Sequence, residues 1–425
     1  MKYGLIGEKL GHSFSKEIHE QLAAYQYEIC PLSRADFAAF MQRADFAAIN
    51  VTIPYKEQVL PYLAEIDEQA AKIGAVNTIV NRDGLFKGYN TDFAGVCYLL
   101  RQHEIDLAGR QVLILGSGGT SKTVRAVVES QGAAAVRLVS RGGGLDSAGQ
   151  PMLTYQQAAA AVNTQVIINT TPCGMYPHNQ DLPLLKPADF PKLEAVVDVI
   201  YNPLQSNLVL QARELGLKAC GGLEMLVAQA KYAAELFVDC QIDDAKIADI
   251  YQQLRRQKLN LALIGMPGSG KTTVGWRLAE ILQRPFVDCD AKIVQQEGCS
   301  IADIFRAQGE AGFRQLETAT LAEIAKEGGQ VIATGGGVVT QPLNMQLLRQ
   351  NSLLVWLDRP LADLPISAAR PLSPNAQANA QLYQQRAPLY QRYADLRLPN
   401  EQSAAAAAEK IAAYFAAETG GMAKC

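Results

Sequence analysis

Two glycine-rich turns, each set directly behind a short apolar run, constrain this chain more than any other feature. The first is Val112-Leu113-Ile114-Leu115 running into Gly116-Ser117-Gly118-Gly119-Thr120-Ser121. The second is Leu261-Ala262-Leu263-Ile264 running into Gly265-Met266-Pro267-Gly268-Ser269-Gly270-Lys271-Thr272. A strand that breaks into glycines and then into a helical pattern puts backbone N–H groups and a helix N-terminus at the strand's carboxyl end, where open α/β sheets hold anionic ligands. Each turn calls for a sheet of its own, and 425 residues are too many for one ordinary core and enough for two. Short apolar runs alternate with helical patterns along the whole length, so the expected class is α/β with mostly parallel sheets.

The joint between the two units is expected after a helical stretch from Asp244 to Leu254, in the polar segment Arg255-Arg256-Gln257-Lys258. That divides the chain into 1–257 and 258–425, with a short linker. Within the first unit, 1–105 precede the glycine turn and 106–219 contain it.

A net charge of -3 leaves no electrostatic footprint for nucleic acid or an anionic membrane, so basic residues must act locally, inside clefts. The eight cysteines include no CxxC pair and no neighbouring histidine cluster, which favours reduced thiols in a cytosol over zinc or a disulfide framework. The start, Met1-Lys2-Tyr3-Gly4-Leu5-Ile6-Gly7, is too short and glycine-broken for a signal sequence, and no apolar run approaches the roughly 18 residues of a membrane span. The expectation is a cytoplasmic enzyme acting on small molecules. Monomer and homodimer are both open.

Gly265 to Thr272 is a full GxxxxGKT loop between a strand and a helix. Its backbone N–H groups, with Gly268, Ser269, Gly270 and Thr273, would cradle the phosphates of ATP. Lys271 would reach the β- and γ-phosphates and Thr272 would ligate Mg²⁺. Phe286-Val287-Asp288-Cys289-Asp290 reads as a strand end, and residues two apart on a strand share a face. Asp288 and Asp290 are therefore expected to point together into the crevice, one serving the metal and the other a substrate hydroxyl. The plainer reading of either is a helix cap.

Downstream come Gly309-Glu310-Ala311-Gly312-Phe313-Arg314, Ala333-Thr334-Gly335-Gly336-Gly337, Arg370-Pro371-Leu372 and Arg386-Ala387-Pro388-Leu389-Tyr390. With the DxD, these motifs resemble shikimate kinase in type and order across the half's full length. The resemblance implies that Asp290, Arg314, Gly336 and Arg386 bind shikimate, that Arg370 closes over ATP, and that Lys271 and Asp290 are catalytic. A small carboxylate ligand independently calls for guanidinium forks, although a lone arginine on a helix is more often solvated or structural. The stretch Leu364-Pro365-Ile366-Ser367-Ala368-Ala369 before Arg370 is shorter and less basic than the family's lid. Weaker use of ATP than in a long-lid relative is expected from it. Family members often carry a basic residue near the nucleotide base after the last strand. Pro399-Asn400-Glu401-Gln402-Ser403 offers none.

In the first half, Gly116-Ser117-Gly118-Gly119-Thr120-Ser121 is a variant of the dinucleotide fingerprint, with serine in place of its third glycine. The next strand, Val136-Arg137-Leu138-Val139, ends in Ser140-Arg141, with no acid before Asp146. A guanidinium suits a ribose 2′-phosphate where an acid would take the 2′-hydroxyl, so NADP(H) is favoured over NAD.

Upstream and downstream stand His12-Ser13-Phe14-Ser15, Asn50-Val51-Thr52-Ile53-Pro54-Tyr55-Lys56, Gly74-Ala75-Val76-Asn77-Thr78, Gly88-Tyr89-Asn90-Thr91-Asp92, Asn169-Thr170-Thr171-Pro172, Asp198-Val199-Ile200-Tyr201 and Gly221-Gly222-Leu223-Glu224-Met225-Leu226-Val227-Ala228-Gln229. From residue 1 to about 250 the chain resembles shikimate dehydrogenase. That resemblance implies a substrate site of Ser13, Ser15, Thr52, Lys56, Asn77, Asp92, Tyr201 and Gln229, with Lys56 and Asp92 as the catalytic pair. It implies NADP contacts from Gly116, Ser117, Gly118, Gly119, Thr120, Ser140, Arg141, Val199, Gly222 and Met225. It also implies that about 220–250 return to the substrate-binding part.

Each residue has a plainer reading: Lys56 as a solvated lysine, Asp92 as a helix cap, Gln229 as a residue facing water. As a set they suit a ring bearing hydroxyls, a ketone and a carboxylate. Burial would favour the neutral amine of Lys56 and a carboxylate its ammonium, and the sequence does not decide between them.

The expected architecture is an α/β substrate domain plus a Rossmann NADP-binding domain, followed by a P-loop α/β domain of the nucleoside-monophosphate-kinase type with a parallel sheet. The expected activity is NADPH-dependent reduction of 3-dehydroshikimate followed by phosphorylation of shikimate. A quinate dehydrogenase using NAD, fused to a weak kinase, is a second enzymatic reading. A silent metabolite sensor is a third, against which the retained Lys56, Asp92, Lys271, Thr272, Asp290 and Arg386 speak.

Overall fold

The structure is a computed structural model, and it describes residues 1–11, 13–146, 148–365, 375–400 and 403–420. The chain divides into two compact units, Met1–Tyr251 and Gln252–Cys425. The segment Arg255–Lys258, expected as a linker, is helical: one helix runs from Ala245 to Lys258. Its residues include good helix formers, with no glycine or proline, and Arg255, Arg256 and Lys258 place cations in the last turn, where they complement the helix dipole.

The first unit holds two sheets. Strands β1 (Tyr3–Gly7), β2 (Glu28–Pro31), β3 (Ala48–Val51), β4 (Glu65–Ile66), β5 (Thr78–Arg82) and β6 (Leu85–Tyr89) form a six-stranded sheet in the order β2-β1-β3-β5-β6-β4. This sheet is mixed, because β5 runs antiparallel to both β3 and β6. The reversal is made by Asp83-Gly84, both at positive φ (50° and 88°), the two-residue hairpin turn that matches strand twist.

Strands β7 (Gln111–Leu115), β8 (Ala135–Val139), β9 (Val166–Asn169), β10 (Ala195–Asp198) and β11 (Lys218–Cys220) form a parallel sheet in the order β11-β10-β9-β7-β8. Both faces of β7 are covered. Val112 and Ile114 enter one apolar cluster, while Leu113 and Leu115 enter another, which is why the strand reads as an unbroken apolar run. The helix Leu223–Val238 leaves this sheet and packs on the helices Ser15–Leu22 and Thr91–Gln102. A Cβ on Gly95 would stand 2.9 Å from the Met225 carbonyl oxygen, so only glycine permits that approach.

In the second unit, β12 (Asn260–Ile264), β13 (Phe286–Asp288), β14 (Val331–Ala333), β15 (Ser352–Asp358) and β16 (Leu396–Pro399) form a parallel sheet in the order β13-β14-β12-β15-β16. Leu261, Ala262, Leu263 and Ile264 of β12 are all fully buried. The strand therefore delivers the second glycine turn to the edge of a covered sheet.

Candidate active sites

The first unit contains a cleft of about 520 Å³ lined by Ser13, Ser15, Thr52, Lys56, Asn77, Asp92, Tyr201 and Gln229, together with Thr120, Val199, Gly222 and Met225. Residues from both sheets of the unit thus share one cavity. At its centre Lys56 Nζ lies 2.6 Å from Asp92 Oδ2, with side chains only 12% and 8% exposed. The turn carrying Lys56 is anchored by Val76 N–H donating to the Lys56 carbonyl (2.8 Å) and by the Tyr55 hydroxyl donating to the Leu32 carbonyl (2.6 Å).

Asp92 stands in the first turn of Thr91–Gln102 and is not its cap. Asn90 is the cap, accepting from Phe93 N–H, which leaves the Asp92 carboxylate for Lys56. Gln229 is buried and does not face water. Its Oε1 accepts from Asn77 Nδ2 (3.3 Å), which also donates to Thr91 Oγ1 (3.0 Å). Ser13 Oγ donates to Ser15 Oγ (3.1 Å), and the Tyr201 ring lies against Phe14. Burial holds the Tyr201 phenol above its usual range, so it is a neutral donor. His12 lies outside the described residues.

Gly116 ends β7 at φ +116°, and a Cβ there would meet Thr170 Oγ1 at 2.6 Å. Gly118 is the N-cap of the helix Gly119–Ser130, with no side-chain bond closing that end, so its first N–H groups and those near Ser117 suit a pyrophosphate. A Cβ on Gly119 would lie 3.5 Å from the Lys56 side chain, which brings the turn beside the Lys56–Asp92 pair. Beyond β8, Ser140 Oγ donates to the Gly143 carbonyl (3.1 Å) and Arg141 is exposed. Asp146 is already engaged: Oδ1 accepts from Ala148 and Gln150 N–H (2.9 and 2.8 Å), and Oδ2 pairs with Arg125. No acid is thus left at that edge for a ribose hydroxyl, among the described residues. These features fit NADP(H).

The second unit has a cleft of about 580 Å³ lined by Gly268, Gly270, Lys271, Thr272, Thr273, Asp288, Asp290, Arg314, Gly336 and Arg386. Ser269 is fully buried and outside this lining; its carbonyl accepts from Asn400 Nδ2 (2.6 Å). Its N–H donates to the Met266 carbonyl (3.1 Å), so the structure does not bring Ser269 to the phosphate cleft. Lys271 Nζ donates to the Gly265 and Met266 carbonyls, 2.9 Å each.

Asp288 and Asp290 do not alternate on one strand. β13 stops at Asp288, which caps the helix Cys289–Glu297 by accepting from Ala291 N–H, while Asp290 sits in that helix's first turn. The polar Asp288 cap outcompetes a further strand residue, and helical geometry brings both acids to the cleft. Asp288 Oδ2 also accepts from Thr272 Oγ1 (2.8 Å). A hydroxyl and a carboxylate are hard oxygen donors of the kind Mg²⁺ takes alongside water and phosphate. No group of three or more His, Cys, Asp or Glu suited to a metal occurs among the described residues, so an all-protein cage is not what would hold it.

Arg314 is buried. Nη1 donates to Glu317 Oε2 (2.8 Å) and Nη2 to Glu310 Oε1 (3.1 Å). Gly309, at φ +68° inside Ile301–Ile324, breaks the helix one residue before Glu310 and redirects the turn carrying these side chains. A Cβ on Gly337 would fall 2.0 Å from Arg314 Nη2. Asp290 Oδ1, Arg314 Nε and Glu317 Oε1 are among the buried side-chain atoms with no hydrogen-bond partner. Burial raises the pKa of Asp290 and outweighs nearby Lys271 and Arg314, while burial lowers that of Arg386. Arg370 and most of the short segment before it lie outside the described residues.

Several lining residues escaped the sequence reading. Asn50 opens the Asn50–Lys56 motif, whereas Lys9, Met175, Glu317 and Arg359 carry no local signal.

Residues 5–79 match the family model described as shikimate dehydrogenase substrate binding domain. A shikimate dehydrogenase (NADP(+)) of Clostridium beijerinckii is 35% identical over 260 residues, covering 59% of this chain and 96% of that protein. The chain belongs to the shikimate dehydrogenase family. A second member, from Clostridium perfringens, is 34% identical over 269 residues, covering 60% of this chain and 98% of the relative. The shikimate dehydrogenase of Peptoclostridium difficile has a solved structure with TM-score 0.56 and 32% identity, covering 60% of this chain and 98% of that one. A chorismate mutase/shikimate 5-dehydrogenase fusion protein of Clostridium acetobutylicum superposes with TM-score 0.55 at 33% identity, covering 59% and 96%. Beyond the dehydrogenase, residues 267–416 match the model described as shikimate kinase. Both domains are present in one chain.

Proposed function

We propose that this chain is a bifunctional enzyme that reduces 3-dehydroshikimate to shikimate with NADPH and then phosphorylates shikimate with ATP to shikimate 3-phosphate. The observation that carries the reading is the pair of separate clefts. One sets a buried lysine–carboxylate pair beside a dinucleotide turn, and the other sets buried guanidinium groups beside a phosphate loop.

In the reductase cleft, NADPH supplies the hydride when bound. Lys56 Nζ donates the proton that the developing alkoxide needs, and Asp92 holds the ammonium in place. Ser13, Ser15 and Tyr201 offer hydroxyl donors to the substrate carboxylate. Thr52, Asn77 and Gln229 serve the ring hydroxyls, and Asn77 and Gln229 already fix each other's orientation. Arg141 favours the 2′-phosphate, and the engaged Asp146 removes the feature that would select NAD.

In the kinase cleft, Arg314 and Arg386 grip the same carboxylate in fork geometry, with Gly336 packed against the phosphate loop. Asp290 accepts the hydrogen of the attacking hydroxyl, and its raised pKa makes it the better base. Thr272 and Asp288 would hold Mg²⁺, which would neutralise phosphate charge. Lys271 exchanges its two carbonyl partners for phosphate oxygens, and Arg370 closes over the nucleotide. We place this chemistry in the cytoplasm, where NADPH and ATP are both supplied. Among the described residues no helix is long and apolar enough to cross a membrane.

The test is to incubate the protein with 3-dehydroshikimate, NADPH, ATP and Mg²⁺. NADPH oxidation with accumulation of shikimate and shikimate 3-phosphate is expected; absence of both products overturns the reading.

A further inference from the structure

The dehydrogenase unit buries a carboxylate that no step above uses. Asp198 ends β10, is fully buried, and is outside the lining of the reductase cleft. A carboxylate in such a place is costly unless donors converge on it. Oδ1 accepts from Asn169 Nδ2 (3.0 Å) and from Ile200 N–H (3.1 Å), and Oδ2 accepts from Ser206 Oγ (2.5 Å).

Each donor belongs to a different structural piece. Asn169 ends β9 directly beside Asp198 in the sheet, and its own Oδ1 accepts from Thr171 N–H (3.0 Å) and Thr171 Oγ1 (2.7 Å). Ser206 caps the helix Asn207–Glu214. Ile200 lies between Val199 and Tyr201, which line the cleft together with Asn202. One side chain therefore ties two strand ends and a helix cap to the turn that presents Val199 and Tyr201.

We propose that Asp198 is a positioning residue for the reduction, fixing the Val199–Tyr201 turn against both reactants without touching either. The role rests on the reductase function proposed above. Its acceptor geometry, rather than its charge, is what the turn requires. Asparagine keeps the Oδ1 acceptor toward Asn169 and Ile200 and holds Ser206 by the reversed bond, Nδ2 donating to Ser206 Oγ.

The test is steady-state reduction of 3-dehydroshikimate by NADPH in full-length D198A, D198N and S206A, with active sites counted by NADPH titration. For D198A, KM for both reactants is expected to rise by about tenfold, more than kcat per counted site falls, whereas D198N stays within about threefold of wild type. S206A removes one of the three bonds, is expected to raise both KM values by about two- to fivefold, and keeps the test open should D198A not fold. Fewer active sites at unchanged KM in D198A and S206A would reduce Asp198 to a stabilising residue and overturn the proposal. So would a D198N as impaired as D198A. A wild type without turnover would instead overturn the reduction itself, and this role with it.

Discussion

The two clefts differ in how completely their polar atoms are bonded. In the dehydrogenase, the cation at the centre is matched by a carboxylate 2.6 Å away, and the surrounding amides and hydroxyls bond to one another. In the kinase, Arg314 also has carboxylate partners in Glu317 and Glu310, but Asp290 Oδ1, Arg314 Nε and Glu317 Oε1 are buried with no hydrogen-bond partner. The first site is built around its own internal bonds; the second has bonding capacity that an incoming carboxylate and hydroxyl can complete. The difference follows the chemistry. Hydride and proton transfer to a ketone needs one proton donor held still, whereas phosphoryl transfer needs several charges brought to bear on ligands.

Removing the central cation of each cleft should break the comparison most severely. Lys56→Ala is expected to lower kcat for reduction by about 10²- to 10⁴-fold, with KM changed far less. Lys271→Ala should abolish phosphorylation by a comparable factor. Each variant should leave the other activity of the same chain unchanged, as separate NADPH and ADP-release assays would read. Loss of both activities in either variant would mean that the clefts do not act independently. Equal changes in kcat and KM for Lys56→Ala would make Lys56 a binding residue.

The buried guanidinium groups of the kinase cleft give a smaller, sharper test. Arg386→Lys keeps the charge and loses the fork, so KM for shikimate in phosphorylation is expected to rise by about 10- to 100-fold with KM for ATP little changed. Arg141→Ala probes the dinucleotide edge of the other cleft. KM for NADPH should rise by about tenfold while KM for NADH stays the same, narrowing the preference between the two. An unchanged NADPH/NADH ratio would remove Arg141 from that role.

How much of this was legible in the sequence depended on whether the signal was local. Gly116–Gly119 and Gly265–Thr272 announce themselves because strand, turn and helix are contiguous, and both turns stand where the apolar runs before them lead. Local patterns also misled. Asp288 and Asp290 fit a strand alternation, yet an aspartate can cap a helix, and here the cap ended β13. The polar run Arg255–Lys258 looked like a linker because its polarity masks good helix propensity. Asp83-Gly84 is a local hairpin signal for the one antiparallel strand, β5, in otherwise parallel sheets. Glu317, Arg359 and Lys9 reach their clefts only through tertiary folding, and no spacing near them could have shown it. The burial of Asp198 is of the same kind, since an acid at the end of a short apolar run looks like the start of a loop.

That burial supplies the smallest effect and the one most specific to the dehydrogenase unit. Burial pushes the Asp198 carboxyl up from 3.8 to about 6, against the bonds from Ser206, Ile200 and Asn169 that pull it down; the thiols of Cys173 and Cys220 are its titratable neighbours. The folded state therefore binds the proton more tightly than the unfolded chain does. Asp198's contribution to stability is most favourable below pH 4, declines as pH rises toward about 6, and is constant above that. Since a tenfold change in proton affinity is worth about 1.4 kcal/mol, the decline is at most roughly 3 kcal/mol. D198N carries no such proton. Chemical denaturation of the first unit, followed between pH 4 and 7, should show wild type losing stability relative to D198N up to about pH 6 and running parallel to it above. Parallel curves throughout would mean that the three donors hold the carboxylate ionised at every pH of the series. Asp198 would then be as fully bonded as the Lys56–Asp92 pair, in contrast to the unpartnered atoms of Asp290, Arg314 and Glu317 in the kinase cleft.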